Sequence, residues 1–401
     1  MRDNGIGDYP DPQVLEDGGV TIASPLDVTT AGNEEVAAAQ AACLHILEAA
    51  GPASVDPRGS TPDGAAPSGS SPAGASEWDK VVPGGDCVCA DGSEFAFWER
   101  QADATKVVFY LDGGGACTDA TTCAFTGING ESDFYNWSVA GEDPGFPGGG
   151  ILDFDRVDNP FADYSFIYVT SCTGDGDLGD ITRQYSPGLT VEHNGFVNGS
   201  AALNYLAEHY PDATQVVVVG NTGGSVAAPI YGGLVADLLP DAEVTVFGGG
   251  SGHWPDDPEL NAEILGELWG VYRTMPDWEV NDGLTAGDWG MPRFWIQAGR
   301  HNPDIVMARF DFAYDRNAAR VLESLGVAMS TLEVIDANEA AIEDEGVVQH
   351  SYIAPGDGHR ILELDEFYEL EVNGVRLVDW VDALITGEPL DDVHCDDCEA
   401  A

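Results

Sequence analysis

Lysine is nearly absent: Lys80 and Lys106 are the only two, and arginine brings the basic total to 15 against 70 acidic residues, a formal net charge of -55. Such a surface repels nucleic acid and anionic membranes, so functions built on phosphate contacts are set aside. It suits a salt-rich medium, where counterions screen the self-repulsion; a secreted acidic protein is the blander alternative. No run reaches about eighteen apolar residues, so no membrane-spanning helix is expected. The opening MRDNGIGDYPDP has neither a basic n-region nor an apolar core, and no signal peptide is visible in it. What the chain does have is 43% hydrophobic content over 401 residues, enough to bury one large core.

Eight cysteines stand at 43, 87, 89, 117, 123, 172, 395 and 398. The even count favours disulfides and an oxidising compartment, hence an extracellular, cell-surface or periplasmic protein; the sequence leaves the connectivity open. Cys117 and Cys123 are the expected pair because they close a short loop.

Residues 1 to about 32 are polar and acidic, and 34–50 have helical composition. Residues 51–76 are rich in Pro, Gly, Ser and Ala without periodicity, the mark of a tether that cannot pack a core. This divides the chain into a disordered N-terminal segment (1–77), a folded domain (78–390) and an acidic, cysteine-containing tail (391–401). Within the domain, strands are expected at 94–98, 106–111, 164–170, 216–219, 243–247, 305–313 and 347–353, with a helix at 198–209. Strand, crossover and strand repeated in this way imply an α/β fold: a mostly parallel sheet with helices on both faces. Ligands gather at the carboxyl ends of such strands, and the polar motifs of this chain fall there.

The central stretch is QVVVVGNTGGSVAAPIY, residues 215–231. Four valines read as a buried strand, and the glycines that follow turn the chain into a helix of small residues, with Thr222 at the apex. In α/β-hydrolases that strand-turn-helix elbow carries the nucleophile, and the helix amides face the developing oxyanion. The dinucleotide spacing Gly-x-Gly-x-x-Gly and the P-loop lysine are both missing, which sets phosphate binding aside. His359 lies in a glycine-rich loop after a late strand, and Asp315 ends an earlier one. The order nucleophile, acid, histidine is that of α/β-hydrolases. DGGGAC, at 112–117, suits an oxyanion loop in which the amides of Gly114 and Gly115 join that of Gly223. Ser225, flanked by Gly223 and Ala227, is the alternative nucleophile; one turn into the helix, its hydroxyl is expected to bond a backbone carbonyl.

CADGSEFAFW, LDGGGACTDATTC, NPFADYSFIYVTSCTGDGDLGD, EHNGFVNGSAALNYL, GNTGGSVAAPIYGGLV, ARFDFAYDRNAARV and YIAPGDGHRIL together resemble the pectin acetylesterase family, which includes the Notum-type carboxylesterases. The resemblance runs over roughly residues 81–387 and is stronger to the bacterial branch than to the plant enzymes. It implies an α/β-hydrolase-like fold and a carboxylic-ester hydrolase without cofactor, acting on a small-molecule or carbohydrate ester. It carries the family serine onto Thr222, its aspartate onto Asp315 and its histidine onto His359, with oxyanion amides from Gly114, Gly115 and Gly223. The chain departs from the family at Thr222, at Thr118 where an aromatic is usual, and at Asp177 where a histidine is often found. A β-branched residue at positive φ costs on the order of 1 to 3 kcal/mol, and its methyl crowds the attack. The alternative reading is therefore a binding protein that keeps the pocket and has lost turnover.

Two metal readings are weaker than their rivals. Asp175, Asp177 and Asp180 fit no complete Ca²⁺ loop and read as an acidic surface loop. His394, Cys395 and Cys398 lack a second ligand pair and read as a disulfide. No metal is expected.

Overall fold

The computed structural model describes residues 78–139, 148–396 and 398, and two short strands, Gln13–Val14 and Val20–Thr21, that pair antiparallel in the N-terminal unit. The helix expected at 34–50, the tether at 51–76 and Cys43 lie outside the described residues.

Nine strands build one sheet: β1 (Asp79–Val81), β2 (Phe97–Arg100), β3 (Asp103–Leu111), β4 (Tyr164–Val169), β7 (Gln215–Asn221), β8 (Glu243–Gly249), β9 (Val306–Phe312), β10 (His350–Ala354) and β11 (Val393–His394). Their spatial order is β11-β10-β9-β8-β7-β3-β4-β2-β1. From β11 to β4 every neighbour pair is parallel; β2 joins β4, and β1 joins β2, antiparallel. A separate hairpin, β5 (Ile181–Ser186) and β6 (Leu189–His193), was not foreseen from the sequence.

Both faces of the sheet are covered, which is why its central strands are apolar runs rather than alternating ones. On one face Val107, Phe109, Val216 and Val218 pack against helices α1 (Gly195–His209), α2 (Gly223–Leu238) and α3 (Met291–His301). On the other, Val108, Tyr110, Val217 and Val219 meet α6 (Leu377–Thr386). Helices α4 (Arg316–Ser324) and α5 (Thr331–Asp344) make the crossover from β9 to β10. This is an α/β-hydrolase fold.

Several boundaries differ from those expected. The strand placed at 94–98 is Phe97–Arg100, and its two charged residues are buried because the fold supplies partners. Glu99 accepts hydrogen bonds from Tyr205 and Tyr210, while Arg100 donates to the Tyr164 carbonyl and lies over the Phe154 ring. The strand placed at 347–353 starts later, at His350. The tail at 391–401 is not separate from the sheet: Val393–His394 add an edge strand to β10.

Candidate active site

Chain order reverses at the centre of the sheet. From β3 the chain steps outward to β4, then returns to the other side of β3 as β7 and continues outward through β8, β9 and β10. The loops after β3 and β7 therefore leave in opposite directions and open a crevice between them at their carboxyl ends. Those two loops are the DGGGAC segment and the elbow.

Thr222 sits between β7 and α2 with φ +48° and ψ -110°, a backbone conformation that is costly for a β-branched residue. Its amide donates to the Gly249 carbonyl at 2.7 Å, which fastens the turn to the end of β8. A threonine at a helix N-cap commonly spends its hydroxyl on a first-turn amide. Here there is no such cap bond, and Thr222 Oγ1 has no hydrogen-bond partner among the described residues. The hydroxyl lies so close against Gly113 that a Cβ on that glycine would collide with it.

Asp315 and His359 are joined. Asp315 caps α4: its Oδ1 accepts the amides of Asn317 at 2.8 Å and Ala318 at 3.1 Å, leaving Oδ2 to meet His359 Nδ1 at 2.5 Å. The aspartate side chain is 4% exposed and the imidazole 23%. One ring nitrogen is thus held by a fixed carboxylate, and Nε2 is left for chemistry. No hydrogen bond links it to Thr222.

The amides of Gly114, Gly115 and Gly223 have no acceptor among the described residues. The loop that presents the first two is held by neighbours rather than by those amides. The Gly114 carbonyl accepts from Asn136 and Ala116 donates to Phe134. Gly115 has φ +75°, and a Cβ there would strike the Phe134 carbonyl. The Cys117–Cys123 disulfide closes the loop, and Cys89–Cys172 ties down the chain after β4 beside it. Three unspent N–H groups near a hydroxyl can stabilise a tetrahedral oxyanion.

Ser225 is placed apart from this group. It is fully buried, and its hydroxyl bonds Ser251 Oγ at 2.6 Å rather than a backbone carbonyl. Asp175 and Asp177 do not form a surface loop: they are 1% and 2% exposed. Asp175 takes hydrogen bonds from Thr173 Oγ1, the Asp177 amide and the Gly195 amide at the start of α1. Burial, with Asp175 next in weight, pushes the Asp177 carboxyl well above the usual range. Cys395 and Cys398 are bonded to each other. Cys87 is the one free cysteine among the described residues.

Two residues beside the site escaped the sequence reading. Half-buried His253 feels the charges of Asp315, His359 and Arg309, and burial holds its pKa down at about 4. Its signal was position, since GGGSGHW follows the β8 strand directly. Asp112 precedes the oxyanion glycines, and burial, then Glu363, raises its pKa to about 6. A cavity of about 570 Å³ opens at the opposite, amino-terminal edge of the sheet, lined by Lys106, Gln215, Glu243 and Asp382 among others. Its lining threonines, Thr214 and Thr386, have no histidine among them to act as base, so the chemistry is assigned to the carboxyl ends.

The pectinacetylesterase family model matches residues 82–263. That stretch includes the oxyanion loop and the elbow and ends before Asp315 and His359. No curated protein matches the chain. Among solved structures the chain is similar to that of the Wnt deacylase Notum from Drosophila, with a TM-score of 0.59 and 15% identity over 80% of this chain and 97% of that one. At that identity the likeness speaks for a shared fold.

Proposed function

We propose that this protein is a carboxylic-ester hydrolase of the pectin acetylesterase type, working through an acyl-enzyme on Thr222. The observation that carries this reading is the 2.5 Å contact of Asp315 with His359 Nδ1, at the same end of the sheet as an elbow with φ +48° and three unspent amides. His359 Nε2 takes the proton from Thr222 Oγ1 as the oxygen bonds to the ester carbonyl carbon. The amides of Gly114, Gly115 and Gly223 receive the oxyanion, and His359 then gives the proton to the departing alcohol oxygen. Water repeats the sequence and releases the acid. Asp315 keeps the ring oriented and stabilises the imidazolium throughout. The substrate is a small-molecule or carbohydrate ester other than a polyanion, because a polyanion approaching a chain of formal charge -55 is repelled unless salt screens both. Three disulfides among the described residues suit an extracellular setting.

One observation favours a second reading, a binding protein without turnover: Thr222 Oγ1 is not bonded to His359, and its methyl adds bulk at a strained position. Hydrolysis of p-nitrophenyl acetate separates the two. The hydrolase reading expects turnover by the wild-type protein that His359→Ala abolishes. Silence from both the wild type and Thr222→Ser on esters of several chain lengths would leave the binding reading in its place.

A further inference from the structure

Beneath the oxyanion loop lies a polar cluster that the reaction above does not use. Tyr110 on β3 and Tyr168 on β4 are directly paired across the ladder, and their rings stack at 4.7 Å with 17° between planes. Both hydroxyls reach one carboxylate oxygen, Glu363 Oε1, at 2.9 Å from Tyr110 and 3.3 Å from Tyr168. The other oxygen, Oε2, pairs with Arg360 at 2.9 Å. Tyr168 also lies beside Asp112, whose charge bears on it and whose Oδ1 accepts the Gly113 amide at 2.6 Å. The cluster extends from Gly113, which touches the Thr222 hydroxyl, to Arg360, the residue after His359. Tyr110, Tyr168 and Glu363 are at most 3% exposed.

A buried glutamate is costly to keep unless its contacts do something an apolar side chain could not. Here those contacts bridge the two loops that must be in register for acyl transfer. Resting on the hydrolase reading, we propose that Glu363 is a positioning residue for that reaction, holding the oxyanion loop through Tyr168 and Asp112, and the histidine loop through Arg360, at a fixed separation.

Proton accounting gives the device a pH dependence. A tyrosine hydroxyl has one proton to donate, and Tyr168 stands between two carboxyl groups. With Asp112 protonated, donors run one way, from Asp112 to Tyr168 to Glu363, with Tyr110 as a second donor to Glu363. With Asp112 ionised, Tyr168 can serve only one of two carboxylates, half-buried Asp112 or buried Glu363. Burial first, then the Glu363 charge, raises Asp112 to about 6, opposed by Tyr168, Gly113 and Arg360. Asp177 is the further acid coupled to Asp112. The connected form is therefore complete below about pH 6 and comes apart as pH rises through it.

The test uses the full chain, with Glu363→Gln and Tyr168→Phe each made in the wild type and in Thr222→Ser. Kinetics on p-nitrophenyl acetate are read together with an infrared titration of protonated carboxyl groups between about pH 4 and 8. Glu363→Gln keeps an acceptor for both tyrosines but removes the charge. It is expected to move the titration near pH 6 downward and to lower kcat about ten- to a hundredfold, the scale of a slight misplacement, with KM within about twofold. Tyr168→Phe should lower kcat on the same scale while leaving the Tyr110 and Arg360 contacts in place, and it serves if Glu363→Gln fails to fold. Asp112→Asn should remove one of two carboxyl titrations near pH 6 and leave that of Asp311. Variants that melt earlier yet keep wild-type kcat below their Tm would make Glu363 a structural pin and overturn the proposal while leaving the hydrolase reading intact. A normal titration with no turnover in any background would sink the hydrolase reading and the positioning role with it. A titration near pH 6 that Asp112→Asn leaves unchanged would belong to Asp311 and would remove the pair itself.

Discussion

Asp315 with His359, and Thr222 with its glycines, stand at the same end of the same sheet, yet they are secured in different ways. The proposed acid and base are fixed through side chains: Asp315 spends one oxygen on two amides of α4 and the other on the imidazole. The elbow is fixed through its backbone, by the Thr222 amide on Gly249 and by glycine contacts too close for any side chain. Its hydroxyl is left out of the hydrogen bonding. With two heavy substituents on Cβ, threonine has few χ1 choices, and here close packing rather than a bond to the base sets where Oγ1 rests. The half proposed to hold the base is pre-organised, whereas the half proposed to hold the nucleophile is shaped without being engaged. A variant that acts on one half should accordingly leave the other alone.

The largest effect is expected at the bonded half. Asp315→Asn keeps an oxygen that can cap α4, and asparagine is as good an N-cap as aspartate, so Tm should change little. The amide cannot orient and stabilise the imidazolium, and kcat should fall by about 10⁴-fold, read in the Thr222→Ser background for signal. A much smaller loss with unchanged Tm would mean that the dyad is a structural contact. At the unengaged half, Thr222→Ser removes the methyl and its rotamer restriction. Hydrolysis of p-nitrophenyl acetate should rise about ten- to a hundredfold, roughly 1.4 to 2.7 kcal/mol of barrier and within the strain range for threonine at positive φ. An unchanged rate would show that the methyl is not what separates the halves.

How much of this was legible in the sequence followed the range of the forces involved. Val216 to Val219 and the glycines after them read correctly because a buried strand and a tight turn are written in adjacent residues. That the loops bearing Thr222, Asp315 and His359 come to one end of the sheet was likewise visible, since parallel crossovers return successive loops there. The strand at Phe97–Arg100 was misplaced because Glu99 and Arg100 look like exposed residues until Tyr205, Tyr210 and Phe154 arrive from elsewhere in the chain. Glu363 was invisible for the same reason, its partner Tyr110 being 253 positions away. His253 and Asp112 stood at strand ends like the residues chosen, and only their neighbours distinguish them from ordinary loop residues.

The smallest effect, and the one that compares the halves most directly, is on stability against pH. His253 lies beside the bonded half, and its folded pKa of about 4 is below the ordinary 6.5. The unfolded chain therefore binds more protons there between about pH 4 and 6.5, and this residue makes stability rise with pH across that window. Asp112 lies beside the elbow half, with a folded pKa of about 6 above the ordinary 3.8. Its contribution is complete below about pH 3.8 and is lost as pH rises through 6, so it makes stability fall over nearly the same window. Asp311 on β9, also raised to about 6, and Asp177, raised well above the usual range, add to the Asp112 slope, so the wild-type urea midpoint should fall with pH across this window while His253 opposes the fall. His253→Gln removes the opposing slope and should steepen that fall relative to the wild type, whereas Asp112→Asn should make it shallower. Tilts of the same sign, or none between pH 4 and 6.5, would show that the two halves do not carry opposite proton linkage.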